Sequence, residues 1–313
     1  MNVPSTSRAA VVHAYGGPDL ITVQSRPTPT AGPGEVLVAI RAAGVNLVDT
    51  MLRDGYLKTG PLPLTLGCDF AGVVADAGEG GDFATGDEVY GYKLLGNGTY
   101  AEYAAVDASL IARKPPSLSF AAAAALPCAG LIAYDAIVNT LALKTGESIL
   151  VAGASGGVGH LAVQIAKARG ATVIATASKR NLQFVRSLGA DHALDYNQNL
   201  ATAIRELLPN GVDVALPTVR EAERSALAVT RDGGRITWIN NAFDLPLDRG
   251  ITGTETNGSH GRALLDALSN LVQGGAIPTI HIEHQYRLAD AAQAHIDVAH
   301  GRVRGKLVIN TTT

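Results

Sequence analysis

Ser148-Ile149-Leu150-Val151-Ala152-Gly153-Ala154-Ser155-Gly156-Gly157-Val158-Gly159 decides the fold: an apolar run passes through a glycine-rich turn into a segment with helical spacing. Val158, Leu161, Ala162 and Ile165 fall at i, i+3, i+4 and i+7, and Gly170 stands where a left-handed cap would close that helix. Outward from this turn the pattern alternates, with strands predicted at 148–151, 172–177, 192–195, 213–216 and 235–239 and helices at 158–169, 179–188, 201–208 and 222–229. Strands alternating with helices in this way imply parallel βαβ units and a doubly wound sheet.

The first third of the chain reads differently. Short β-like runs at 8–13, 35–43, 70–75, 88–90 and 100–106 are separated by turns such as Gly16-Gly17-Pro18 and Gly32-Pro33-Gly34, which predicts a barrel-like β domain. After Gly258 come an amphipathic helix at 263–272 and strand-like runs at 279–283 and 306–310. The organisation expected is therefore a β domain over 1–125, a doubly wound domain over 126–257 and a return to the β domain over 258–313.

With 313 residues the chain exceeds one comfortable core, and its 17% charged and 47% hydrophobic residues are those of an ordinary globular protein. A net charge of −3 supplies no basic field for nucleic acid or an anionic membrane surface. Two cysteines, Cys68 and Cys128, are too few for a disulfide scaffold and suit a reducing compartment. The polar start of the chain has no apolar run after it, and Pro127 and Gly130 interrupt the alanine-rich stretch at 120–133, so a cytoplasmic protein without a membrane span is expected.

Glycines at the 153–159 turn let backbone N–H groups approach a pyrophosphate, and the helix that follows adds about half a positive charge at its N-terminus. Gly153, Ser155, Gly156, Gly157, Val158 and Gly159 are thus candidate dinucleotide contacts; the alternative is a tight turn without a ligand. An acid about twenty residues on would accept the ribose hydroxyls of NAD, but no Asp or Glu occurs between Glu147 and Asp191. The second strand ends instead at Ser178-Lys179-Arg180, a hydroxyl and two cations suited to a 2′-phosphate, so NADPH is the expected cofactor. Asn240, directly after the run at 235–239, completes the cofactor candidates. The glycine spacing also fits a short-chain dehydrogenase, but none of the seven lysines has a tyrosine four residues upstream, as that chemistry requires.

Together with this loop, Gly44-Val45-Asn46-Leu47-Val48-Asp49, Arg53-Asp54-Gly55-Tyr56, Gly67-Cys68-Asp69-Phe70-Ala71-Gly72, Gly86-Asp87-Glu88-Val89-Tyr90-Gly91, Leu126-Pro127-Cys128-Ala129-Gly130 and Gly305-Lys306-Leu307-Val308 resemble the zinc-free quinone oxidoreductase branch of the medium-chain dehydrogenase/reductase superfamily. The resemblance runs over nearly the whole chain. It implies a GroES-like β domain joined to a Rossmann domain, a 2′-phosphate site at Ser178, Lys179 and Tyr196, and Asn46 and Tyr56 facing the nicotinamide and the substrate. It also implies a homodimer formed by extending the sheet at the strand 235–239.

Zinc-dependent relatives carry a structural lobe with four closely spaced cysteines, which a chain with two cannot build. By the same resemblance their catalytic ligands would fall at Asn46, Cys68 and Cys128, with Asp69 beside the second. An amide is a poor soft-metal donor, so no metal is expected, and a zinc-dependent alcohol dehydrogenase stays the alternative. His281 and His284 would point to opposite faces of a strand, and His160, just inside the first Rossmann helix, would cap or flank the nucleotide. Where relatives carry an acid and glycines after the fourth Rossmann strand, this chain has Pro217-Thr218-Val219-Arg220, which removes a backbone donor. Without a Lewis acid a conjugated acceptor is the easier substrate, so hydride transfer to a quinone or an α,β-unsaturated carbonyl is expected. Tyr56 is the candidate proton donor, Asn46 the orienting residue and Asp49 the third catalytic candidate, although an Asp there is also a helix cap. A NADPH-bound sensor or structural protein with little turnover is the competing class.

Overall fold

Eleven residues from Glu35 to Val45, rich in Val, Ala and Ile and almost all buried, form the longest strand of the computed structural model, which describes residues 2–78, 81–239, 243–256, 258 and 260–312. Two units make up the chain: Met1–Cys128 with His260–Gln273 and His281–Thr313, and Ala129–Ser259 with Gly274–Ile280.

The first unit carries β1 (Thr6–Val12), β2 (Thr22–Pro27), β3 (Glu35–Val45), β4 (Leu64–Thr65), β5 (Asp69–Asp76), β6 (Glu88–Tyr92), β7 (Tyr103–Asp107) and β8 (Ile111–Arg113). The second carries β9 (Ser148–Ala152), β10 (Thr172–Ala177), β11 (His192–Asp195), β12 (Val212–Pro217), β13 (Thr230–Ile239) and β14 (Thr252–Thr256), and the chain returns to the first with β15 (Ile282–Arg287) and β16 (Lys306–Asn310). In the first unit one sheet runs β15-β16-β3-β5-β6-β8, with β7 also paired to β3, and a smaller one runs β2-β1-β4. Val36, Val38, Ile40, Phe70, Val74, Val89 and Val106, contributed by alternate positions of these strands, fill its core.

The second unit is the expected doubly wound sheet, all parallel, in the order β11-β10-β9-β12-β13-β14. The order reverses between β9 and β12, and ligands of such sheets bind beyond the carboxyl ends of the strands at that point. Leu150, Ile174, Ile204, Val212, Ala215, Val229 and Ile236 form its core.

Three expectations are corrected. A sixth strand, β14, pairs with β13 over Arg235↔Thr252 to Ile239↔Thr256, so the strand 235–239 is not the sheet edge and cannot be extended by a second copy. Gly253 hid this strand in the sequence: it lies opposite Ile236, and a Cβ there would sit 2.9 Å from the Trp238 ring. Second, the run expected at 279–283 starts as a strand only at Ile282. The Gln164 side chain takes both backbone groups of Thr279, donating to its carbonyl at 2.9 Å and accepting from its N–H at 3.0 Å, so no ladder forms there. Third, the helix expected at 179–188 opens as a 3₁₀ turn, Lys179–Asn181, before the α-helix Leu182–Ser187. Among the described residues no helix is long and apolar enough to cross a membrane.

Candidate active site

In the second unit β9 ends at Ala152 and the chain turns through Gly153, whose φ of 77° favours glycine. A Cβ on Gly153 would lie 2.4 Å from Thr218 Oγ1, and one on Gly159 would lie 2.3 Å from the carbonyl oxygen of Gly153. Both glycines are therefore required for the loop to close against β12 and for the helix Gly157–Ala168 to start against it. Gly156 is the N-cap of that helix and brings no capping side chain, which leaves the helix terminus to a ligand that can accept its N–H groups. Ser155, Gly156, Gly157 and Val158 are half-buried, and Ser155 Oγ is held by Asn181 Nδ2 at 3.1 Å. These residues fit a pyrophosphate.

Pro217 ends β12 opposite Ala152, and the donor that proline lacks is supplied one residue later: Thr218 gives its N–H and its hydroxyl to the Ala152 carbonyl, at 3.0 and 2.8 Å. Thr218 is thus a closure of the switch point that sequence reasoning did not find. His160 is fully buried with Nδ1 3.0 Å from the Gly156 carbonyl, so it braces the turn.

At the end of β10, Ser178 is half-buried and Lys179 and Arg180 are exposed. Ala177 aligns with Asp195 across β10 and β11, and the N–H of Tyr196 bonds the Ala177 carbonyl at 3.2 Å, which brings Tyr196, 54% exposed, beside Ser178. Asp195, the last residue of the strand predicted at 192–195, stands beside Ala177. Its Oδ1 accepts from the backbone N–H and the side chain of Asn197, at 3.0 and 2.9 Å, and so closes its own turn. Asn240 lies outside the described residues.

The first unit holds a buried polar cluster at the start of the helix Leu47–Asp54. Asn46 is its N-cap, and Asp49 Oδ2 accepts from the Asn46 backbone N–H at 2.8 Å, one arm of a capping box. Tyr100, fully buried, gives its hydroxyl to the same oxygen at 2.9 Å. The other oxygen, Oδ1, has no hydrogen-bond partner among the described residues, and the Cys68 thiol adds its pull on the carboxyl. Burial pushes the Asp49 carboxyl up to about 6 against the pull of these donors.

Asn46 itself is almost buried, at 8% exposure. Its Nδ2 donates to Asp69 Oδ2 at 2.9 Å, and its Oδ1 accepts from the ammonium of Lys306. Lys306 Nζ also donates to the Val45 carbonyl at 3.0 Å and lies 3.6 Å from Asp69 Oδ2. Asp69 Oδ1 takes the backbone N–H of Cys128 at 2.8 Å. Burial raises the Asp69 carboxyl, and Lys306, Asn46 and Cys128 oppose that rise.

Tyr56 stands apart from this cluster. It follows the left-handed cap Gly55 at the far end of the same helix and is 81% exposed. The helix between them spans eight residues, so the backbones of Asn46 and Tyr56 are separated by about 12 Å along the axis. The structure therefore brings Asn46 and Asp49 together and does not bring Tyr56 to them.

The positions that would ligate a catalytic metal do not fit one. Both polar atoms of the Asn46 amide are engaged, and an ammonium already occupies its oxygen. Burial raises both thiols, with Asp49 adding to the rise at Cys68 and Asp69 at Cys128. Among the described residues no three His, Cys, Asp or Glu side chains are grouped to hold an ion.

The sequence profile of the alcohol dehydrogenase GroES-like domain matches residues 32–116, and that of the zinc-binding dehydrogenases matches residues 157–246. The chain is 36% identical to the 2-methylene-furan-3-one reductase of Solanum lycopersicum, over 99% of this chain and 80% of that protein. It is 34% identical to the chloroplastic NADPH-dependent alkenal/one oxidoreductase of Arabidopsis thaliana, over 98% of this chain and 80% of that one. The solved structure of the quinone oxidoreductase from Coxiella burnetii superimposes with a TM-score of 0.90 at 30% identity, covering 98% of this chain and 99% of that chain.

Proposed function

Because the chain belongs to the quinone oxidoreductase branch of the medium-chain dehydrogenase/reductase superfamily and is an oxidoreductase, we propose that it uses NADPH to reduce a quinone or an α,β-unsaturated carbonyl without a metal. The observation that carries the cofactor is the uncapped helix terminus at Gly156 beyond β9, with Ser178, Lys179 and Tyr196 gathered at the ends of β10 and β11. Gly153, Ser155, Gly156, Gly157, Val158 and Gly159 receive the pyrophosphate, and Ser178, Lys179, Arg180 and Tyr196 receive the 2′-phosphate.

When bound, NADPH supplies a hydride. Addition at the β-carbon of an enone moves the electron pair to the carbonyl oxygen as an enolate, and solvent returns a proton to the α-carbon; a quinone takes hydride and proton to give the hydroquinone. The protein stabilises the developing oxyanion and holds the acceptor in place. Asn46 is the hydrogen-bond donor to that oxygen. Tyr56, exposed and distant from Asn46 along the helix, packs on the body of the acceptor. Asp49, fully buried and committed to the helix start and Tyr100, is a positioning residue. The presence of two relatives whose names specify conjugated carbonyl substrates supports this acceptor class. A homodimer extends the parallel sheet through its outer strand, β14.

Titration of NADPH and NADH by nicotinamide fluorescence, with wild type and Lys179→Ala, tests the cofactor. Preference for NADPH that collapses in the variant is expected; equal binding of the two overturns it. Steady-state NADPH oxidation with benzoquinone and an aryl enone tests the reaction, and tight NADPH binding with no turnover of either would favour a binding protein.

A further inference from the structure

Asn46 follows β3 directly, and its amide is gripped from two strands paired with β3: Lys306 opens β16, which pairs Leu307 with Val45, and Asp69 opens β5. Gly44 makes room for this grip, since a Cβ there would lie 3.0 Å from Asp69 Oδ2. Lys306 and Asp69 are both almost fully buried, at 3% and 0% exposure. An ammonium has only donors and an ionised carboxylate only acceptors, and every partner of Asp69 is a donor: the Cys128 N–H, the Asn46 amide and Lys306. The Asn46 amide can satisfy both neighbours in one orientation alone, oxygen to Lys306 and nitrogen to Asp69. Its oxygen also faces the backbone N–H of Asp49 in the capping box. What remains unused is the second N–H of Nδ2.

We propose that Lys306 and Asp69 form a buried positioning pair that locks the Asn46 amide with an N–H as its spare group, so that the site offers a donor, never an acceptor, to the oxygen of the substrate. This rests on the reading of Asn46 as the oxyanion donor. It follows that acceptors are chosen for an oxygen that gains negative charge, and that an alcohol, which would have to give up a proton there, finds no base in Asn46.

The test is a double-mutant cycle on the full chain with NADPH and an aryl enone, using Lys306→Met, Asn46→Ala and the combination. Lys306→Met is expected to lower kcat about 100-fold while leaving KM for NADPH within about twofold, and to lower nothing further in the Asn46→Ala background. An equal loss in both backgrounds overturns the pair's role. Should Lys306→Met not fold, Lys306→Met/Asp69→Asn removes both charges and carries the same expectation. A side-chain readout separates this inference from the reading beneath it. In protein labelled with ¹⁵N-asparagine, one Nδ2 proton of Asn46, assigned by its loss in Asn46→Ala, is expected downfield and slow to exchange, and to lose both properties in Asp69→Ala, which removes its acceptor. An Asn46 resonance unmoved by Asp69→Ala overturns the lock whether or not the enzyme turns over; the lock with no turnover of any acceptor overturns only the reaction.

Discussion

Replacing Asp49 by asparagine should stabilise the protein above pH 6 and leave it nearly unchanged at pH 4. Both hydrogen bonds to Asp49, from the Asn46 N–H and the Tyr100 hydroxyl, end on the same oxygen, Oδ2. An asparagine can place its carbonyl oxygen there and keep both, while its NH₂ group takes the position of Oδ1, which has no sound partner. The charge is what is lost. Burial raises the folded-state pKa of Asp49 to about 6, against about 3.9 in the unfolded chain. A raised carboxyl favours folding fully only below the unfolded value, and that contribution disappears as pH climbs through 6. Two pK units correspond to about 3 kcal/mol, the most that Asp49→Asn can recover at pH 8 relative to pH 4. Subtracting variant from wild type at each pH cancels every other titration. Urea unfolding should be followed by far-UV circular dichroism, because the single tryptophan, Trp238, belongs to the other unit. A variant less stable than wild type at pH 8, or a difference flat between pH 4 and pH 8, would refute the reasoning and make the carboxylate's charge a structural requirement.

Tyr100→Phe removes one of the two donors to a carboxylate that is fully buried, and should cost about 1–3 kcal/mol by urea unfolding at pH 8 and less at pH 4. His295 is fully buried, accepts from Arg53 Nη1 at 3.3 Å through Nδ1 and is driven down to about 3, first by burial and then by Arg53. A depressed histidine favours folding above its unfolded value and loses that as pH falls, so stability should drop by about 2 kcal/mol between pH 6.5 and pH 5; a His295→Gln variant should show a flatter acid limb in the same titration. Gly159→Ala forces a Cβ to 2.3 Å from a backbone oxygen, so NADPH affinity by fluorescence should fall by more than about tenfold. Unchanged affinity would mean that the loop does not carry the cofactor.

Local chemistry made much of this molecule legible in its sequence. The glycine turn at 153–159 can be read because a strand, a turn that only glycine permits and a periodic helix are all short-range facts. The absence of an acid before Asp191, and the cations at 179 and 180, are likewise visible without coordinates. Asn46 is legible only through a resemblance, and its residue type alone says nothing of its surroundings.

What only the tertiary structure decided depends on residues far apart in the chain. β14 joined the sheet because Gly253 fits beneath Trp238, a packing fact that a propensity scale reads as a broken strand. Thr279 lost its ladder to the side chain of Gln164, 115 residues away. Lys306 reads in sequence as the first residue of an apolar strand, and becomes a site residue only when β16 is laid against β3 and its ammonium meets Asn46 and Asp69. Burying such a charge is tolerable only with partners in place, and partners separated by more than 200 positions are set by the fold. The sequence by itself therefore determined the nucleotide loop and the class of fold; the tertiary structure alone decided which polar groups would be buried together, and so which of them can act.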